Sequence, residues 1–176
     1  VLFRFTSPTL PRLDELELEV LIAGVPSDVR PCRGVVGLLD FRMGARLSRL
    51  LEAERITGEW GEVAMVPGKP FCSFDKLLLF GMGPSSSWSP EAYAELLVSM
   101  VERLAKLRVR VAAVELPGRP YAVISPQAAA EVLIREVGHS AECDQWVLVD
   151  DGEGRAVIEA LLFEQRRRMR RDPAQL

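Results

Sequence analysis

Lys76-Leu77-Leu78-Leu79-Phe80-Gly81-Met82-Gly83-Pro84 decides how this chain is read. A short, fully apolar run ends in Gly-x-Gly-Pro. An uninterrupted run of this length fits a strand covered on both faces. Such strands sit at the centre of an α/β sheet, and those sheets tend to bind ligands at strand carboxyl ends. Three serines and Trp88 follow the run, and a helix opens at Ser89-Pro90-Glu91.

The pattern continues toward the carboxyl terminus. Tyr93, Leu96, Leu97, Met100, Leu104 and Leu107 recur at three and four, the period of an amphipathic helix. Ser89 suits its N-cap and Pro90 its first position. Arg103, Lys106 and Arg108 complement the dipole of its last turns. Val109 to Leu116 reads as a strand stopped by Pro117-Gly118, and residues 119–124 as a link. Ser125-Pro126 repeats the helix start, with Ala129, Val132, Leu133 and Val137 as its stripe and Gly138 as its end. Trp146 to Val149 is the last strand and Asp150-Asp151-Gly152 its turn. A final helix, from about Glu153 to Arg171, is expected to bury Val157 and Leu161, with Ile158 and Leu162 beside them.

Toward the amino terminus, Val63 to Val66 is a short strand stopped by Pro67-Gly68, after a turn marked by Gly58 and Gly61. A helix is expected from Asp40, with Met43, Leu47, Leu50, Leu51 and Glu54 on one side and Arg42, Arg46 and Arg49 on the solvated side. Residues 25–34 read as a loop. Leu16, Leu18, Val20 and Ile22 alternate with Glu15, Glu17 and Glu19, the period of a strand. Residues 1–12, with Pro8 and Pro11, read as an extended lead-in. The order β-α-β-β-α-β-α-β-α predicts one three-layer α/β domain over residues 1–176, a mixed sheet flanked by helices.

Composition narrows the function. The chain has 176 residues, 48% hydrophobic and 27% charged. Those proportions suit one ordinary globular core. Its net charge of -3 argues against a dedicated nucleic-acid binder. No run approaches the roughly 18 apolar residues of a membrane helix, and no secretory leader is visible, so a cytoplasmic location without membrane contact is expected. Cys32, Cys72 and Cys143 are odd in number and widely spaced. They read as reduced thiols, with one disulfide as the alternative. Scattered cysteines and a single histidine give no metal-ligand spacing.

Arg33-Gly34-Val35-Val36-Gly37-Leu38-Leu39-Asp40-Phe41-Arg42 leads into Ala45-Arg46-Leu47-Ser48-Arg49-Leu50-Leu51. Thr57-Gly58-Glu59-Trp60-Gly61-Glu62 follows, then the strand to Pro67, then Phe80-Gly81-Met82-Gly83. This succession resembles the N-terminal, macro-domain-like domain of bacterial and other leucyl aminopeptidases. The resemblance covers roughly residues 16–150. It implies a macro-like fold and, in that family, a role in subunit assembly or, in some bacterial members, DNA binding. The family's peptidase chemistry belongs to a separate two-metal domain with an Asn-Thr-Asp-Ala-Glu-Gly-Arg type signature. That run is absent here, so the resemblance carries over no catalytic residue, no metal and no cofactor.

Several clusters are candidate sites. Gly81 and Gly83 allow close backbone approach, and Ser85, Ser86 and Ser87 offer donors before a helix start. That is the chemistry of a small anionic ligand, a phosphate or ADP-ribose, although a solvated turn has the same composition. It is not a P-loop. His139 reads as a helix-end residue, or as a base for Cys143. Asp144, Asp150, Asp151 and Glu153 read as a polar turn before a helix, or as a cation site. Arg166, Arg167, Arg168, Arg170 and Arg171 suit a solvated helix end, an acidic protein partner or nucleic acid. Trp60, Trp88 and Trp146 read as core or partly buried, and Trp60 and Trp88 lie in loops, where an exposed Trp beside Gly can anchor an interface. The expectation is a non-enzymatic adaptor, inhibitor or assembly module that binds another protein or itself. The alternatives are a nucleotide or ADP-ribose module and nucleic-acid contact through the arginines.

Overall fold

The computed structural model describes residues 2–137 and 144–171. Its elements are β1 (Leu2–Thr6), α1 (Leu10–Asp14), β2 (Val20–Val25), α2 (Gly34–Arg42), α3 (Arg46–Glu52), β3 (Val63–Pro67) and β4 (Lys76–Gly81), followed by α4 (Pro90–Lys106), β5 (Val111–Glu115), α5 (Pro126–Val137), β6 (Gln145–Val149) and α6 (Gly152–Arg171). Six strands form one sheet in the order β1-β6-β5-β2-β4-β3. All neighbours are parallel except β3, which runs antiparallel to β4.

The apolar run of β4 is unbroken because both its faces are covered. Leu78 and Phe80 join a core with Ile22, Leu97, Met100, Leu133, Trp146 and Ile158, under α4, α5 and α6. Leu77 and Leu79 join a second core with Leu13, Leu21, Val25, Leu39 and Leu47, under α1, α2 and α3. The result is the three-layer mixed α/β architecture that the pattern predicts. Ser89 caps α4 by accepting from Ala92 N at 3.1 Å, with Pro90 in the first turn. Among the described residues no helix is long and apolar enough to cross a membrane.

The structure corrects four readings. Residues 1–12 are not simply a lead-in: Leu2–Thr6 is an edge strand and Leu10–Asp14 a short helix with Pro11 in its first turn, where its missing N–H costs nothing. The strand expected over 16–22 is Val20–Val25, buried throughout. The alternating glutamates precede it. The helix expected from Asp40 begins at Gly34 and breaks at Gly44-Ala45 into two. Asp40 then serves α3, accepting from the backbone N–H and hydroxyl of Ser48. In α6 the buried hydrophobic side chains are Ile158 and Leu162, while Val157 and Leu161 are half-buried. The end of α5 at Gly138 lies outside the described residues.

Candidate functional site

Strands β2, β4, β5 and β6 bring their carboxyl ends to one side of the sheet. The loops that leave them enclose the crevice where parallel α/β sheets usually hold a ligand. Here the crevice is filled from within. Arg119, in a 3-10 turn after β5, grips Asp150 with two bonds, Nε to Oδ2 at 2.9 Å and Nη2 to Oδ1 at 3.0 Å. The Arg119 side chain is 13% exposed and that of Asp150 5%. Arg119 also donates to the Ile124 carbonyl at 3.2 Å, and Asp150 accepts from Asp151 N at 2.8 Å. Two-pronged geometry with further hydrogen bonds is what a buried ion pair needs to offset its desolvation. The Asp150 carboxylate raises the pKa of the guanidinium, while burial opposes that rise.

The amino end of α2 meets Glu115, the last residue of β5. Glu115 Oε1 accepts from Val35 N at 2.8 Å. A helix start attracts negative charge, and here the acceptor is part of the chain. Gly34 makes this fit possible. Its φ is +63°, and a Cβ there would overlap the Glu115 carboxyl and Pro120. Glycine alone takes that conformation without steric cost. Burial pushes the Glu115 carboxyl up to about 8; Asp150 adds to the rise and the Val35 N–H opposes it. Desolvation disfavours the charged form of any carboxyl, so near neutral pH the group is mainly protonated.

Apolar and aromatic groups close the remainder. Met82 takes the space over the end of β2, its sulfur 2.6 Å from where a Cβ on Gly24 would stand. Trp88 tilts against Tyr121 with ring centroids 5.1 Å apart, within the range of favourable aromatic pairs. The Tyr121 hydroxyl accepts from Arg33 N at 3.2 Å, and burial pushes it up to about 12. A residual cavity of about 20 Å³ remains beside Trp60, Met82, Trp88, Tyr93 and Ile124. A water needs roughly 10–15 Å³ by that measure, whereas ligand pockets run to roughly 300–1,000 Å³.

The Gly81–Ser87 loop joins this arrangement. A Cβ on Gly81 would overlap the Glu59 carbonyl, so close backbone approach there serves the chain's own turn. Asp28 receives Ser85 N at 2.8 Å and the Ser85 hydroxyl at 2.7 Å, and those bonds hold its carboxyl below the usual range. Ser87 Oγ donates to the Pro84 carbonyl at 2.8 Å, and Ser86 is exposed. Gly83 takes a positive φ beside Trp60.

The remaining candidates scatter. Trp60 is 45% exposed at the mouth of the cavity, Trp88 is half-buried and Trp146 is core. The indole nitrogens of Trp88 and Trp146 are buried without a hydrogen-bond partner among the described residues. Arg166, Arg167 and Arg168 are exposed on α6, with Arg168 3.8 Å from Glu164. Arg170 and Arg171 belong to α6, but their side chains lie outside the described residues, as do His139 and Cys143. Of the acidic residues, Asp150 and Asp151 meet at Arg119 and Asp144 stands apart. Asp144 pairs with Arg110 at 2.8 Å, Asp150 with Arg119, and Asp151 accepts from Gly154 N at the start of α6. Glu153 stands in the first turn of α6. Among the described residues no group of three or more potential ligands could hold a metal ion. Cys32 and Cys72 are free, and burial raises both thiols. Sequence reasoning missed Asp28, Glu115, Arg119 and Tyr121. Only Glu115 left a local signal, as an acid inside an apolar strand.

The strand order, the single antiparallel edge and the crevice at the strand carboxyl ends define a macrodomain-like α/β fold. Solved structures share it. The Trypanosoma brucei macrodomain in complex with ADP-ribose matches at a TM-score of 0.68 and 14% identity, over 90% of this chain and 69% of that one. The macrodomain of Mycobacterium tuberculosis DarG matches at 0.63 and 14%, over 85% and 99%. A mutant of the tomato leucine aminopeptidase matches at 0.62 and 14%, over 90% of this chain and 35% of that one. The chain thus spans about a third of the tomato enzyme. At these identities the likeness establishes the fold alone. No curated protein matches the sequence. Residues 29–138 match the N-terminal domain of the cytosol aminopeptidase family, and the chain belongs to that family.

Proposed function

We propose that this domain is a non-catalytic protein-interaction or assembly module on a macro-like scaffold. The observation that carries the reading is the self-filled crevice. Its strongest anion-attracting feature, the amino end of α2, is bonded to Glu115. Its guanidinium is bonded to Asp150, and the donors of its serine loop are bonded to Asp28 and Pro84. A nucleotide would have to displace all of these and enlarge the cavity of about 20 Å³. The half-exposed Trp60 and the two open edges of the sheet leave the outer surface as the better place for contact, with another protein or a second copy.

The alternative is a nucleotide or ADP-ribose module. It is favoured by the position of the crevice and by the fold shared with the T. brucei macrodomain solved with ADP-ribose. Calorimetry decides between the two: the interaction reading expects no heat from ADP-ribose at millimolar concentration, and saturable binding of one equivalent would reject it. Nucleic-acid contact through Arg166–Arg168 predicts binding that weakens steeply with salt. Salt-insensitive or absent binding removes it.

A further inference from the structure

The sheet ends in β1 on one side and in β3 on the other, and β1 is the edge that borders a groove. Its main chain pairs on one side only, with β6, in the register Leu2–Gln145 to Thr6–Val149. Leu2 N donates to the Asp144 carbonyl and Thr6 O accepts from Asp150 N, so residues 2, 4 and 6 face β6. Parallel pairing then turns the N–H and C=O of Phe3 and Phe5 outward. Among the described residues these four groups have no partner. Such an edge is a template for another strand.

Beside it lies a groove of about 440 Å³ between β1 and α6. Phe3, Phe5 and Leu162 form its floor, and Phe163, 63% exposed, stands on its rim. Arg4, Arg155 and Arg166 surround it against a single acid, Glu159. Arg155 is taken up by Glu159 at 3.0 Å and by the face of Phe5, 5.8 Å from the ring centroid. Among the described residues Arg4 and Arg166 have no ion-pair partner.

We propose that β1 accepts an extended acidic segment of another protein as a seventh strand of the sheet. The segment would bond the main chain of Phe3 and Phe5, set one row of alternate apolar side chains beside Phe163 on the α6 face, and present the carboxylates of the other row to Arg4 on the opposite face. A second copy fits less well. Full overlap of two Leu2–Thr6 strands in an antiparallel pair centres on Arg4 and puts like charges opposite one another, which is destabilising, and a register centred on Phe3 or Phe5 pairs less of the strand. The proposal rests on the interaction reading and specifies its surface and the chemistry of its partner.

The test uses the full chain and a fluorescein-labelled synthetic peptide of alternating Val and Glu, followed by anisotropy. Saturable binding is expected. Replacing Glu by Lys in the peptide should weaken it by about threefold or more, the scale of a cross-strand charge pair. Methylating alternate peptide nitrogens that face β1 should abolish it without touching the protein. The Arg4→Glu variant changes an exposed residue and should reverse the preference between the two peptides. The proposal is overturned by no binding at millimolar peptide, by equal binding of the N-methylated peptide, or by an unchanged preference in Arg4→Glu. A dimer in light scattering that excludes the peptide overturns it in favour of a second copy. A negative peptide result beside a silent ADP-ribose calorimetry removes this surface but leaves the interaction reading in place.

Discussion

The carboxyl end of the central strands and the β1 edge are opposites in one respect. At the first, the charged groups and the loop donors are bonded within the chain, Arg119 to Asp150, Val35 N to Glu115 and Ser85 to Asp28, and the Trp88 indole nitrogen is the exception. At the second, the main chain of Phe3 and Phe5 and the heads of Arg4 and Arg166 have no partner among the described residues. Capacity to bind follows unsatisfied groups, because a group already bonded must lose one partner to gain another. The place where a fold usually carries its ligand is only a prior, and here the bonding pattern reverses it.

The comparison breaks most directly through the buried pair. Asp150→Ala removes the two-pronged partner of Arg119 and leaves it only the exposed Asp151 carboxylate at 4.0 Å, so it should lower the unfolding free energy by about 3–5 kcal/mol in urea denaturation. A loss below about 1 kcal/mol would mean that this end is held together more loosely than a broken buried pair implies. Gly81→Ala forces a methyl against the Glu59 carbonyl. Backbone cannot yield as a side chain does, so the change should cost about 3 kcal/mol by the same measurement.

Glu115 sharpens the contrast through pH. Its unfolded value is near 4.5 and its folded value about 8. Between the two, the folded state keeps a proton that the unfolded state has released, so this group makes stability fall as pH rises. Below about 4.5 and above about 8 its contribution is flat. Glu115→Gln keeps a neutral group that can accept from Val35 N, and it should remove most of that fall. Parallel stability profiles for the two proteins would show that the carboxyl is ionised in the fold. The smallest effect belongs to the open edge. Phe163 is exposed and outside the core. Phe163→Ser should therefore change stability by no more than about 0.5 kcal/mol, the usual range for a surface substitution.

Much of the scaffold was legible in the sequence because its signals are local. The unbroken run Leu77–Phe80, the Ser-Pro starts at Ser89 and Ser125 and the stripe through Leu96 and Met100 each sit within a few residues. Strand β1 was missed because Pro8 and Pro11 suggested a loop. Pro8 lies beyond the strand and Pro11 in the first turn of α1. Helix α2 was missed at its start because Gly34-Val35-Val36-Gly37 is poor helix sequence. Burial of Val35, Val36 and Leu39 outweighs that propensity. The crevice was legible in position but not in content. Glu115 and Val35 are 80 residues apart and Asp28 and Ser85 are 57 apart, distances at which a single sequence gives no pairing signal.

The most direct test of the account follows the backbone amides of the labelled protein by NMR while ADP-ribose is raised to millimolar concentration. The Val35 amide reports whether Glu115 still fills the amino end of α2, and Gly118 reports on the loop that carries Arg119. Both resonances are expected to stay where they are. A saturable shift of either one would contradict that expectation and make the crevice a ligand site.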